Sequence, residues 1–93
     1  MTIRQDDRTL EEMKTHNWLV TATDRFMSGW GDAKGGASKC AWACKREDVD
    51  TVYNWVSNRS EMKYVNVTNN KWHPRAAHVH IYVVHEGHPA LNN

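Results

Sequence analysis

The chain has 93 residues and a formal net charge of +1, and 25% of its residues are charged. This length is enough for one domain with a modest core, to which five tryptophans contribute large apolar side chains. The balanced charge argues against a nucleic-acid binder driven by bulk charge and against an acidic mimic of DNA. We therefore predict one domain over residues 1–93.

The N-terminal arm, residues 1–16, is polar, with Ile3, Leu10 and Met13 as its only large apolar side chains. Asp7 is a candidate cap for a short helix over residues 8–15, and the first residues are expected to fray. No apolar segment of signal-peptide type occurs there, and no run approaches the roughly 18 apolar residues of a membrane span. These features predict a cytoplasmic protein without a membrane partner.

Two alternating segments flank a glycine-rich loop. "NWLVTATD" and "KCAWACK" are typical of strands, and their order favours an antiparallel hairpin with a long connection over residues 24–38. Cys40 and Cys44, four residues apart on a strand, would lie about 13 Å from each other, too far for a disulfide. We predict that they are buried free thiols.

The segment "REDVDTVYNWVSNRSE" is the clearest helix, because Val49, Val52, Tyr53 and Val56 form one apolar stripe. "EMKYVNVTNN" and "AHVHIYVV" alternate like strands, and "HEGHPALNN" reads as a loose tail over residues 85–93. The predicted fold is α+β: a four-stranded, mostly antiparallel sheet over residues 17–84, one main helix packed on one face, and a short N-terminal helix.

The alternation also predicts which side chains face the helix. The expected inner face holds Trp18, Val20, Trp42, Val65, Val67, Val79 and Ile81. The expected outer face is polar and aromatic, with Thr21, Thr23, Tyr64, His78, His80 and Tyr82. A face of this kind is able to meet water or a partner.

Candidate chemical groups are few. His78 and His80 share the spacing that metals use on a strand, with His73 or His85 as a third ligand, but surface histidines on an edge strand explain the same pattern. Lys34 precedes Gly35 and Gly36 and no helix follows, so the order of a phosphate-binding loop is absent. We predict no catalytic residue, no metal and no cofactor.

The glycine-rich loop carries three large apolar side chains, Phe26, Met27 and Trp30, and loops of this length are usually functional or disordered. Either these side chains fold back onto the small core, or Trp30 is an anchor for a partner, with Arg25, Asp32 and Lys34 on a polar rim. A nucleic-acid alternative uses Tyr64 and Tyr82 for stacking, together with the basic residues Arg25, Lys34, Lys39 and Lys45.

Two motifs carry a resemblance to a known group. The segments Thr23-Asp24-Arg25-Phe26-Met27-Ser28-Gly29-Trp30-Gly31 and Arg59-Ser60-Glu61-Met62-Lys63-Tyr64-Val65 resemble small uncharacterised proteins encoded by bacteriophages and prophages. The resemblance covers about residues 17–68 and brings no assigned activity. It implies a phage origin, and small phage accessory proteins often bind and block host proteins, including CRISPR and other defence machinery.

The sequence thus predicts a non-enzymatic phage accessory protein that binds and inhibits a host macromolecule, such as an anti-CRISPR or other anti-defence protein. The expected partner is a host protein or a protein–nucleic acid complex in the host cytoplasm; direct nucleic-acid binding and a homodimer are left open. The candidate partner-binding residues are Arg25, Phe26, Met27, Trp30, Lys34, Tyr64, His78, His80 and Tyr82.

Overall fold

The computed structural model describes residues 3–24, 38–69, 72, 76 and 78–92. Its strands are β1 (Ile3–Asp6), β2 (Trp18–Asp24), β3 (Ser38–Cys44), β4 (Met62–Asn69) and β5 (His78–Val83). Its helices are α1 (Glu12–Thr15) and α2 (Val49–Ser57), with short 3-10 turns at Arg46–Asp48 and Pro89–Leu91. The glycine-rich connection predicted to carry Phe26, Met27 and Trp30 lies outside the described residues.

The strands form one five-stranded mixed sheet in the order β1-β5-β3-β2-β4. β2 pairs antiparallel with both β3 and β4, which confirms the predicted hairpin, whereas β5 is parallel to β3 and to β1. The α+β class is confirmed. The prediction of four mostly antiparallel strands was wrong, because β5 inserts beside β3 in parallel and the N-terminal arm adds a fifth strand.

The N-terminal arm is held mainly through its backbone. The side chains of β1 are largely exposed, yet its register with β5 runs from Ile3 opposite His78 to Asp6 opposite Ile81, and the Asp7 N–H donates to the Ile81 carbonyl at 3.0 Å. α1 is shorter than predicted. Thr9, rather than Asp7, caps it, since Thr9 and Glu12 exchange side-chain hydrogen bonds with each other's backbone N–H groups.

One core lies between α2 and the sheet. Val52 and Val56 of α2 are fully buried in a cluster with side chains of β2, β3 and β4, and Trp55 packs on the edge of this cluster. Tyr53, predicted on the apolar stripe, is instead partly exposed. The buried members of the cluster are Val20, Ala22, Cys40, Trp42, Cys44, Val52, Val56, Met62, Val84 and Ala90.

A second core lies on the opposite face of the sheet, where the sequence predicts solvent. Leu19, Ala41, Ala43, Val79 and Ile81 are buried there, with Trp72 and Ala76 packed against them. The predicted assignment of β5 to its faces was therefore wrong. Because Cys40 pairs with His80 and Trp42 with Tyr82, the histidine and tyrosine side chains share the face of α2, and Val79 and Ile81 lie on the other.

A β-bulge interrupts the pairing of β2 with β4. The register shifts between Thr21 and Thr23, and Tyr64 on the bulged strand has φ 55°, in the left-handed region. A non-glycine residue there costs about 1–2 kcal/mol. The Asn66 side chain donates to the Tyr64 carbonyl at 3.1 Å and so helps to hold this geometry.

The C-terminal segment packs on the core rather than forming a loose tail throughout. Ala90 is fully buried, and the 3-10 turn that contains it contacts α2. His88 caps this turn by accepting the Ala90 N–H at Nδ1, at 3.0 Å, and burial lowers the pKa of His88, which favours the neutral ring that the bond requires. Of the helices described, none has the length and apolar composition needed to cross a membrane.

Candidate partner-binding site

The face of the sheet that carries α2 is only half covered by it. α2 packs mainly against β2 and β4, so it leaves uncovered the part formed by β1, β5 and the start of β3. A recess of about 280 Å³ lies there. Its lining residues are Ile3, Gln5, Asp24, Ser38, Cys40, His78, Val79, His80 and Tyr82. We call this surface the helix-side recess.

A ladder of aromatic rings connects the recess to the core. His80 stacks on Tyr82 with ring centres 3.9 Å apart, and Tyr82 stacks on Trp42 at 5.6 Å. The Trp42 ring then meets the edge of Trp55 at 5.9 Å, and the Arg59 guanidinium lies 4.8 Å from the Trp55 ring centre. Since Trp42 is buried, the rings that reach the recess are fixed in orientation before any partner arrives.

Polar contacts orient the outermost ring of the ladder. The His80 Nε2 atom lies 2.8 Å from an Asp7 carboxylate oxygen, and Gln5 donates to the other oxygen of Asp7 at 3.0 Å. Farther along the arm, Glu12 pairs with His85. Both pairs join the N-terminal arm to the end of β5, so the arm forms one wall of the recess.

These carboxylates make the arm sensitive to acid. The hydrogen bond with His80 lowers the pKa of Asp7, and the Thr9 backbone bond followed by the His85 contact lowers the pKa of Glu12. A lowered carboxyl pKa stabilises the fold while the group is ionised. That stability is full above the ordinary carboxyl values of about 4 and is lost as the pH falls through the lower folded values.

We therefore expect the urea midpoint of unfolding to fall between about pH 5 and about pH 2.5, as these carboxylates become protonated. The variant Asp7→Asn removes one of the titrating groups and should show a smaller fall over this range. Asp50→Asn, on exposed surface of α2, serves as the matched control and should retain the full fall. Identical curves for Asp7→Asn and the unchanged protein would contradict the role given to Asp7.

The described residues that line the recess include one acidic side chain, Asp24. Burial raises the pKa of Cys40 to about 11, and the nearby Asp24 carboxylate adds to this effect. Burial also raises the pKa of Tyr82, with the charges of Asp24 and Asp7 acting in the same direction. Burial, the main cause of both shifts, disfavours a charge of either sign, and the nearby carboxylates make an anion less favourable than a cation.

The cysteines are buried and free, as predicted. Burial raises the pKa of Cys44 to about 12, so both thiols stay protonated at neutral pH and are poor nucleophiles. Within the described part of the chain, no three His, Cys, Asp or Glu side chains converge in a way that would hold a metal ion.

The fold brings together three of the predicted partner-binding residues and separates a fourth. His78, His80 and Tyr82 all line the helix-side recess, whereas Tyr64 lies at a recess on the opposite face. The predicted residues Arg25, Phe26, Met27, Trp30 and Lys34 lie outside the described residues. Asp24 and Ser38, which bound that connection, both line the helix-side recess.

Sequence reasoning missed the wall formed by the arm. Ile3, Gln5 and Asp7 belong to a segment predicted to be frayed or helical, and the only strand signal was the short alternation in "TIRQD". The contact of Arg59 with the Trp55 ring was also missed; Arg59 follows the end of α2 at Ser57.

Comparison of the chain with models of protein families, with curated proteins and with solved structures found no match.

Proposed function

We propose that this chain is a non-enzymatic binding protein that docks on a protein partner through the helix-side recess. The observation that carries the proposal is the stack of His80, Tyr82 and Trp42 beside a recess that Asp24 lines. Aromatic side chains held in place by a core lose little freedom on binding, and they are typical anchors of protein interfaces.

The charge of the recess favours a basic side chain of the partner. A lysine or arginine that enters would lie near the Tyr82 ring, where cation–π attraction operates, and near the Asp24 carboxylate. The phosphates of a nucleic acid would meet Asp24 and Asp7 with the wrong sign. A protein partner therefore fits this surface better than a nucleic acid.

The resemblance of residues 23–31 and 59–65 to small phage proteins suggests the biological setting. We propose that the partner is a host protein in the host cytoplasm and that binding inhibits it, in the manner of an anti-CRISPR or other anti-defence protein. Binding without chemistry is consistent with the protonated thiols of Cys40 and Cys44.

Affinity capture from a bacterial lysate tests the proposal with two matched variants. Ile3 and Leu10 are both exposed apolar residues, at 61% and 80%, but only Ile3 lines the recess. We expect Ile3→Ser and Asp24→Asn to weaken capture of the same protein by about tenfold or more, and Leu10→Ser to leave it unchanged. Capture that is equal with all three variants, or that retains no protein, would refute docking through the recess.

A further inference from the structure

A second recess lies on the face of the sheet opposite α2. It has a volume of about 370 Å³, within the range of small-molecule sites of roughly 300–1,000 Å³. Its lining residues are Thr21, Ala22, Lys39, Tyr64, Asn66, Thr68 and Trp72. Thr21 pairs with Asn66 across the strands, and paired residues share a face, so this recess points away from the helix-side recess.

The chemistry of this recess combines aromatic rings with neutral polar groups. Tyr64 and Trp72 supply the rings, and the hydroxyls of Thr21 and Thr68 and the amide of Asn66 supply donors and acceptors. Flat aromatic surfaces beside hydroxyl and amide groups suit a nucleobase, which stacks through its faces and hydrogen-bonds through its edges.

The charge around this recess is positive, in contrast to the helix-side recess. Lys39 lines it and donates to the Thr23 hydroxyl, which leaves two further ammonium donors. Lys63, next to Tyr64, is exposed, and the exposed Arg4 side chain reaches the Trp72 carbonyl. No acidic side chain is among the described lining residues. This distribution suits the phosphates that flank a base.

Tyr64 is held in a strained conformation while its side chain remains in solvent. It is 79% exposed and has φ 55° at the bulge of β4. Burial does not compensate the backbone strain of such a residue, and strained residues cluster at functional sites. Bulges also re-aim side chains, and here the bulge coincides with the rim of the recess.

From these observations we infer that the recess opposite α2 binds single-stranded nucleic acid, with one base stacked at Tyr64 and Trp72 and its flanking phosphates near Lys39 and Lys63. A duplex is a poorer ligand, because its bases are already stacked and their faces are not accessible. This inference goes beyond the proposed protein docking and uses the other face of the sheet.

Fluorescence anisotropy with a labelled single-stranded DNA of about 12 nucleotides, and with the matching duplex, tests the inference. We expect the single strand to bind more tightly than the duplex. Tyr64→Gly removes the ring and relieves the positive φ, so this variant should remain folded and lose about 5- to 150-fold in affinity, the range for one stacked base. Tyr64→Phe keeps the ring and should bind like the unchanged protein.

Salt dependence tests the phosphate contacts. Lys39→Gln should make the slope of log affinity against log salt shallower by about 0.7, the value for one phosphate contact of a single strand. Ile3→Ser, in the helix-side recess, should leave DNA binding unchanged, so failure of this inference and failure of the proposed function are distinguishable. No binding at low salt, equal binding of the duplex, or unaltered binding by Tyr64→Gly would each overturn the inference.

Discussion

Replacing Arg8 by alanine is expected to lower the free energy of unfolding by about 3 kcal/mol, the lower end of the range for breaking a buried ion pair, because Asp6 keeps 16% of its side chain exposed. The Arg8 side chain is 2% exposed and forms a bidentate salt bridge with Asp6, with Nε–Oδ1 at 3.0 Å and Nη2–Oδ2 at 2.8 Å. Its Nη1 atom also donates to the His16 carbonyl at 3.0 Å. The substitution leaves the Asp6 carboxylate and that carbonyl without these donors, and urea unfolding measures the loss.

Two further variants separate the ion pair from general effects at the arm. Burial opposes ionisation of Asp6, but the hydrogen bonds and charge of Arg8 hold its pKa below the ordinary value. Asp6→Asn combined with Arg8→Met should therefore cost less than the sum of the two single variants. Arg4→Ala, an exposed arginine on β1, should change stability by about 0.5 kcal/mol or less. A loss for Arg8→Ala as small as that of Arg4→Ala would contradict the role given to the pair.

The central strands and the helix were predictable because their local patterns agree with their packing. "NWLVTATD" and "KCAWACK" match β2 and β3 to within one residue at each end, and Val49, Val52 and Val56 of α2 pack inward as their spacing indicates. Hairpin pairing between neighbouring strands is also the simplest connection. Each of these features is set by residues close together in the sequence.

The faces of β5 were not predictable from its alternation alone. A period of two shows that Val79 and Ile81 share a side, but it does not show which side carries the helix. The neighbouring strands held a usable signal: Leu19, Val20 and Ala22, and likewise Ala41 and Trp42, are apolar on both faces. Central strands of this kind are buried on both faces, as parallel partners usually are.

The position of β1 depends on pairing with β5, which is distant in the sequence, and the residues of β1 themselves give little indication of a strand. Its side chains are mostly exposed, so no apolar pattern marks it, and it depends on backbone pairing with β5 and on the turn fixed by Asp6 and Arg8. This explains why His78, His80 and Tyr82 were identified as candidates while the wall formed by Ile3 and Gln5 was missed.

The separation of Tyr64 from His80 and Tyr82 follows from β5. Alternation along β4 places Tyr64 on the side of Asn66 and Thr68, where it does line a recess with them, whereas His80 and Tyr82 lie on the face of α2. The predicted set of aromatic residues is therefore divided between two surfaces of different charge. Protein binding is therefore proposed for the helix-side recess and nucleic-acid binding for the recess opposite α2, and different variants test the two.

The second large effect is expected for Trp42→Ala, which should lower the free energy of unfolding by about 3–5 kcal/mol, since it deletes a large buried ring and leaves a cavity. Trp42 is 4% exposed and lies between Tyr82 and Trp55, so its loss removes the support of both rings. Chemical denaturation gives the stability, and the near-ultraviolet circular dichroism reports the loss of the fixed aromatic packing.

Trp55→Ala is the matched control, because Trp55 is only partly buried and contacts Trp42 without touching the His80–Tyr82 stack. Trp55→Ala should lower the free energy of unfolding by less than Trp42→Ala does, and it should leave capture of the partner intact. Trp42→Phe keeps a ring under Tyr82 and should retain both the fold and most of the capture, although a smaller ring leaves some space. An equal or smaller loss of unfolding free energy for Trp42→Ala than for Trp55→Ala would show that the stacked rings are not anchored in the core. Docking at the helix-side recess would then lack the rigid rings on which it depends.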